Sequence, residues 1–375
     1  MDVQARLTAL AKITEAGAPV VSVYLNTHWT DEHQRDRVRV FLKREIARAR
    51  EESRDGRLDA DLDWVEAQAE SLVNQTAFRD ARGVALFASQ ALALREVVPV
   101  RVPFEDTFVV APRPYVMPLA AVGPEVPSAI VVFVDGESAR LIPVAPDGPD
   151  EEVRLASEVP GHHRRGGWAL LAQSRYQRHI QNYRDRHLDA VAAALVGLGE
   201  ECGATHIVLA GEPRTVTALR ERLPEAMVAR IAGSIAASRH EAAGALVLRA
   251  TDTLARRQAN ETGAAVESVL TDAAKGGQSV AGINETLEAV GRGAVHRLYL
   301  HRGFREPGRV CAGCGTLGAE SLGACPLCGQ ATSAIELGEA MVTRVIAAGG
   351  AVVAVDDDPG LKRVGGVAAR LRYPL

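Results

Sequence analysis

The chain has 375 residues, 47% apolar and 24% charged, which excludes a disordered polymer and allows two or three domains with ordinary cores. With 43 Lys and Arg against 47 Asp and Glu, the net charge of −4 excludes a uniformly basic nucleic-acid coat and leaves room for a local basic patch. Met1-Asp2-Val3-Gln4 is not a basic segment leading into an apolar one, and the apolar run Val345 to Val355 is 11 residues broken by Gly349-Gly350, too short for a bilayer, so a cytoplasmic protein without a membrane partner is expected.

Residues 1–125 read as an N-terminal α/β domain. Val20 to Leu25 is a predicted strand. Two amphipathic helices follow, one with Val38, Leu42, Ile46 and Ala49 at helical spacing, the other with Leu62, Val65, Ala69 and Leu72. Gly83 to Ser89 and Tyr115 to Val122 are predicted as further strands. Gly123-Pro124-Glu125-Val126-Pro127 reads as a linker, because proline removes backbone donors and stiffens the chain.

A central domain is expected over 126–240. It opens with a hairpin, Ala129 to Val134 and Ser138 to Val144, turning at Asp135-Gly136. A loop from Ala145 to Glu152 and a basic loop over Gly161 to Trp168 precede a long helix ending near Gly199, whose buried stripe is Leu188, Val191, Leu195 and Leu198. Ile207 to Ala210 reads as a buried strand and Val216 to Leu223 as a helix. A C-terminal α/β domain, 241–375, is entered through a long helix from about Glu241 to Ala274. It continues with a short helix (Asn284 to Val290), a strand (Val295 to Leu300), a cysteine-bearing insertion at 308–332, a helix (Ile335 to Ala348) and a strand (Ala351 to Val355).

Four of the five cysteines lie within 18 residues: Cys311-x-x-Cys314, then ten residues, then Cys325-x-x-Cys328. Two residues between thiolates let one turn supply two tetrahedral sulfur ligands, and two such turns close a four-coordinate zinc site with no open position. Zn2+ is therefore expected as a structural ion in a reducing compartment. The alternatives are an iron site or free thiols. Gly315 and Gly329 follow the two pairs, allowing a sharp turn that aims backbone amides at the sulfurs. Cys202 stands apart and reads as a core residue.

The second motif is basic. From His162 to His187 there are six arginines, four of the chain's ten histidines and a single acid, Asp185. Its head is His162-His163-Arg164-Arg165-Gly166-Gly167-Trp168, and Arg175, Arg178 and His179 continue it. Arginine forks suit phosphate oxygens, and Trp168 and Tyr176 offer stacking faces, so the stretch fits RNA; the competing reading is a solvated helix face. Two further clusters read as ordinary turns. Lys275-Gly276-Gly277-Gln278 follows the long helix and reads as its end, and Asp356-Asp357-Asp358 reads as an exposed strand end.

Arg165-Gly166-Gly167-Trp168 ahead of a basic helix resembles the catalytic loop of the eukaryotic and archaeal class-1 release factor and pelota superfamily, which reads Gly-Gly-Gln in hydrolytic members. Gly365 to Tyr373, and Ala281 to Val290 followed by Gly293-Ala294-Val295, are similar to the family's C-terminal sequences. The resemblance covers 126–375, and 1–125 only loosely. It implies an α/β, three-domain, release-factor-like architecture with a zinc-ribbon insertion, entering the ribosomal A site and reaching ribosomal RNA and the peptidyl transferase centre. It also implies docking to a translational GTPase such as elongation factor Tu. The family's glutamine falls on Trp168, and residues 1–125 contain no Asn-Ile-Lys-Ser stretch for stop-codon reading. An indole has one N–H and no carbonyl, so it does not orient water as an amide does. The implied function is a non-hydrolysing ribosome-binding factor, similar to Balon-type bacterial hibernation factors. The alternatives are a ribosome-rescue peptidyl-tRNA hydrolase or tRNA-cleaving factor using Gln173 or His179, and a general RNA-binding scaffold.

Overall fold

The computed structural model describes residues 3–13, 18–28, 32–53, 55–74, 81–100, 102–125, 128–144, 153–156, 170–320 and 323–375; side chains of 32, 73–74, 123–125 and 170–180 lie outside the described set. The chain is mixed α/β and divides into two compact units, one made of 1–125 with 260–375 and the other of 126–259.

The first unit begins with α1 (Val3–Ala11), β1 (Val20–Asn26), α2 (Glu32–Glu52), α3 (Asp59–Asn74), β2 (Gly83–Ser89), β3 (Leu94–Val100), β4 (Thr107–Ala111) and α4 (Met117–Glu125). Its strands form an antiparallel sheet ordered β3-β2-β1-β4. β1 is buried from Val20 to Leu25 because both faces are covered, and its buried polar Ser22 accepts from Tyr115 N at 3.0 Å. Val21, Val23 and Leu25 meet the predicted stripes of α2 and α3, Val38, Leu42 and Ile46 against Leu62 and Val65. Tyr24 points the other way, into a second core with Phe87 and Phe104.

One predicted strand is a helix. Residues 117–125 form α4 instead of extending the expected Tyr115 to Val122 strand, and the helix runs through Gly123-Pro124 to Glu125, into the expected linker. Met, Leu and Ala dominate this run, and Pro118 falls in the first turn, where its missing N–H costs nothing. Leu119, Ala120 and Val122 are buried on one helical face.

The second unit holds β5 (Ala129–Val134), β6 (Ser138–Val144), β7 (Val153–Ala156), α5 (Leu170–Glu201), β8 (His206–Gly211), α6 (Pro213–Arg220), α7 (Glu225–Val228), β9 (Ile231–Ile235) and the first half of α8 (Ala243–Ala274). The sheet order is β7-β6-β5-β8-β9, with β5, β8 and β9 parallel. The predicted hairpin forms as expected: the Asp135 carboxylate accepts from the backbone N–H of Glu137 and Ser138, both at 2.8 Å, closing the turn. Leu188, Val191 and Leu195 of α5 pack on this sheet as the stripe predicts. α6 starts earlier than expected, with Pro213 at its first turn.

The first unit resumes with β10 (Ser279–Ala281), α9 (Ile283–Gly291), β11 (Val295–His301), β12 (Pro307–Cys311), β13 (Leu317–Ala319), β14 (Thr332–Glu336), α10 (Leu337–Ala347), β15 (Ala351–Val355), α11 (Pro359–Arg363) and β16 (Val367–Leu371). A four-stranded sheet, β10-β16-β11-β15, pairs β11 parallel to β15, and a separate three-stranded sheet, β13-β12-β14, carries the cysteines. Helix α10 is buried along most of its length, and its Met341, Val342 and Val345 share one core with Leu7, Leu10 and Leu119 of the N-terminal segment. Among the described residues, no helix is long and apolar enough to cross a membrane.

Candidate metal centre and the basic helix

The two cysteine pairs fold as matching turns. In the first, the Cys311 carbonyl accepts from Gly315 N at 3.0 Å and Cys311 N donates to Thr316 O at 2.9 Å. In the second, the Cys325 carbonyl accepts from Gly329 N at 2.9 Å and Cys325 N donates to Gln330 O at 3.0 Å. Gly315 and Gly329 take φ of +73° and +72°, a conformation that penalises a Cβ, which is why glycine occupies both places. Cys311 and Cys325 are buried while Cys314 and Cys328 face outward.

This pairing brings the four sulfurs within 4.8 Å of one another. Cys311 Sγ lies 3.3 Å from Cys328 Sγ, and Cys314 Sγ lies 3.5 Å from both Cys325 and Cys328. A tetrahedron with metal–sulfur bonds of about 2.3 Å has sulfur edges of roughly 3.8 Å, so a shift of a few tenths of an ångström accommodates an ion. Gly313 N and Cys314 N point at Cys311 Sγ at 3.3 and 3.5 Å, the amide-to-sulfur donation that such a site requires.

The thiol electrostatics lead to the same ligand class. The Thr316 hydroxyl and amide stabilise the Cys314 thiolate and bring its pKa to about 6. For Cys328 the Gln330 amide lowers the pKa, but the adjacent Cys311 and Cys314 sulfurs outweigh it and push the thiol up to about 12. Four thiols this close do not all ionise against one another; a divalent cation removes that penalty. Cys311, Cys314, Cys325 and Cys328 therefore fit a metal ion with a closed, structural shell, whose part is to tie β12 to the turn before β14.

The basic motif is only partly placed. His162, His163, Arg164, Arg165, Gly166, Gly167 and Trp168 lie outside the described residues. Gln173, Arg175, Arg178 and His179 fall on α5, with side chains outside the described set. Farther along α5, Arg184 and Arg186 are exposed and His187 is buried. Asp185 pairs with Arg222 at 2.5 Å, so the one acid of the stretch is engaged within its own unit.

Two other motifs behave as turns. Gly276 (φ +67°) and Gly277 close the end of α8, with Lys275 N and Gly277 N donating to Asp272 O. In the acidic triplet, Asp356 pairs with Arg302, Asp357 with Lys362, and Asp358 caps α11 by accepting from Leu361 N at 2.8 Å. Cys202 Sγ is half-buried and donates to Leu198 O.

Two features had no counterpart among the sequence motifs. One is a cavity of about 230 Å³ within the first unit, walled by Phe104, Val122, Leu300, Val342 and Val352, with Arg302 and Arg305 at its edge. The other is Glu339 in the first turn of α10, which is buried. Its Oε1 accepts from Val116 N at 3.3 Å and Thr343 Oγ1 at 3.1 Å, while Oε2 has no partner. Burial pushes this carboxyl up to about 7, against the Val116 amide, the Thr343 hydroxyl and Arg113. An acid three places after Glu336 reads from sequence as a helix-cap residue, and only the packing of Val116 over it reveals the burial.

Residues 114–272 match the profile of the Bacterial archaeo-eukaryotic release factor family 10. That stretch contains the whole basic motif. No curated protein matches the chain in sequence. Solved structures similar to it include the archaeal translation termination factor aRF1, at 18% identity and a TM-score of 0.26 over 99% of this chain and 97% of that one. Pelota from Archaeoglobus fulgidus is similar at 11% identity and a TM-score of 0.37, covering 99% and 92%. Dom34 from S. cerevisiae, described as a termination-like factor of RNA quality control that interacts with Hbs1, is similar at 9% and 0.39, covering 100% and 93%.

Proposed function

We propose that this release-factor-like chain is a ribosome-associated factor that occupies the A site without hydrolysing peptidyl-tRNA, protecting idle ribosomes in the cytoplasm. The observation that carries the reading is the run Arg164-Arg165-Gly166-Gly167-Trp168, which lies inside the matched stretch and puts an indole where the resemblance implies a glutamine. A glutamine amide both donates and accepts, so it can hold a water in line with an ester. Indole has one donor, no acceptor and far more bulk. The same loop keeps what binding needs: the segment 162–187 carries six arginines against one acid, and phosphate neutralisation by such a segment makes affinity fall steeply with salt.

In this reading Arg164, Arg165, Arg175 and Arg178 meet ribosomal RNA phosphates, with His162, His163 and His179 beside them, and Trp168 stacks near the peptidyl transferase centre. The segment 126–240 carries the loop and 241–375 is the docking domain, held in shape by Zn2+ at the four cysteines. Dom34 is described as interacting with Hbs1, and an archaeal Pelota is described as ribosome-bound together with ABCE1. By analogy, a translational GTPase such as elongation factor Tu is the partner class for this chain.

The test is co-sedimentation of the purified chain with 70S particles at physiological salt, paired with a peptide-release assay on stalled complexes. One-to-one binding with no released peptide or trimmed tRNA is expected, as is loss of binding on replacing Arg164 and Arg165 together by Glu. Multiple-turnover release that disappears in Gln173→Ala or His179→Ala would establish the rescue-enzyme alternative. Absence from the ribosomal pellet would leave a general RNA scaffold.

A further inference from the structure

Helix α10 ends beside the metal centre, and its last turn carries Arg344. This side chain is half-buried, and its Nη2 donates to the carbonyl oxygen of Gly315, the residue after Cys314. A Cβ on Gly315 would sit 3.1 Å from that same Nη2, so the absence of a side chain at 315 serves the approach of the guanidinium as well as the turn. A second half-buried cation, Arg113 in the segment between β4 and α4, repels it and at the same time attracts the Glu339 carboxylate. Among the described residues, no carboxylate forms an ion pair with either arginine, in contrast to Arg95, Arg222, Arg239 and Arg302, each of which has an acid within 3 Å.

A partly desolvated guanidinium is unfavourable unless an anion or an acceptor faces it. The carbonyl that Arg344 holds belongs to Gly315, the residue after Cys314, so the guanidinium lies beside the first cysteine turn. Four thiolates around one divalent ion carry a net double negative charge, which a neighbouring guanidinium offsets in part.

We propose that Arg344 is the counter-charge of the four-cysteine centre, a positioning residue that docks the cysteine turns onto α10 and offsets the charge of a bound tetrathiolate. Neither arginine is a ligand. The inference rests on the metal reading above, and it gives α10 a role in setting how tightly the ion is held and how reactive its sulfurs are.

The experiment uses the full chain as wild type, Arg344→Met, Arg344→Lys and Arg113→Met. Zinc affinity is measured by competition with a chromophoric chelator, and the reactivity of the zinc-bound thiolates is measured as the rate of alkylation by iodoacetamide. Arg344→Met should weaken zinc binding about 10- to 100-fold, the range seen when an outer-sphere partner of a metal site is removed. It should also speed alkylation several-fold, because uncompensated thiolates are more nucleophilic. Arg113→Met, which removes a half-buried cation that attracts the Glu339 carboxyl, is the control and should leave both readouts near the wild type. Arg344→Lys keeps the charge and loses the fork, so it should retain most of the affinity.

Wild-type affinity and alkylation rate in Arg344→Met would overturn the inference. So would an Arg344→Lys variant as impaired as Arg344→Met, which would make the Gly315 hydrogen bond, and not the charge, the operative contact. A third adverse result is a melting temperature lowered equally with and without zinc, which would make Arg344 a general packing residue. Failure of the wild type to take up zinc, or cobalt with thiolate charge-transfer bands, would overturn the metal reading itself and this inference with it.

Discussion

Replacing Glu339 by glutamine should abolish a pH dependence that the fold builds into the first unit. Burial is the main cause of the raised carboxyl, with Glu336 adding to it and the Val116 amide, the Thr343 hydroxyl and Arg113 opposing it. Going from the ordinary 4.5 to about 7, at ~1.4 kcal/mol per pH unit, corresponds to about 3 kcal/mol. The sign follows from where the proton sits. Below pH 4.5 folded and unfolded chains both hold it. Between 4.5 and about 7 the unfolded chain releases it and the folded chain does not, so stability falls as pH rises, and the full loss is reached above 7. Glutamine has the same shape, can still accept from Val116 N and Thr343, and does not titrate. Urea unfolding of both proteins at pH 5, 6, 7 and 8, followed by tryptophan fluorescence, cancels every other titrating group in the difference. The variant should gain about 2.5 kcal/mol on the wild type between pH 5 and 8, whatever its offset at pH 5. Parallel profiles would refute both the burial of this carboxyl and the contact between α10 and Val116.

Other consequences can be measured independently. Chelation of the metal should expose four thiols to a thiol reagent in addition to Cys202 and lower the melting temperature of the first unit by several degrees, since β12, β13 and β14 are a small sheet with little core of their own. Gly211→Ala should cost about 2 kcal/mol or more, because a Cβ there would lie 2.3 Å from the Val134 carbonyl and the residue has φ of +148°, so β5 and β8 must separate; chemical denaturation would measure it. Arg239→Ala should raise the Asp135 pKa from about 2. Burial already pushes that carboxyl up, and the Arg239 fork together with the Glu137 and Ser138 amides outweighs it. The stability loss at neutral pH should be about 1 kcal/mol or less, since Arg239 is largely exposed, and the wild-type contribution should fade only as the pH drops below 4 toward 2; carboxyl NMR and acid titration would test both.

The four-cysteine cluster was legible because its chemistry is local. Two Cys-x-x-Cys-Gly turns specify their own backbone path, and the structure repeats one turn geometry at Cys311 and Cys325. Amphipathic stripes and the Asp135-Gly136 hairpin were legible for the same reason, since periodicity and turn residues act over a few positions. Short or weakly patterned strands such as β9, β10 and β16 were not, because three to five residues carry no period and pairing partners decide them. Tyr115 to Val122 failed as a strand because an apolar run without β-branched alternation is equally a buried helix segment, and the core it meets chooses between them.

Residue order alone determined the sulfur ligand set, the basic stretch with its Gly166-Gly167-Trp168 head and the α/β character, because each depends on spacing along the chain or on the identity of a side chain. Tertiary structure alone decided that residues 1–125 and 260–375 share one core, that Glu339 is buried against Val116, and that Arg344 reaches Gly315. Those facts join distant positions, 223 residues apart for Val116 and Glu339, and no local propensity records which distant backbone will close over a charge and take it out of water.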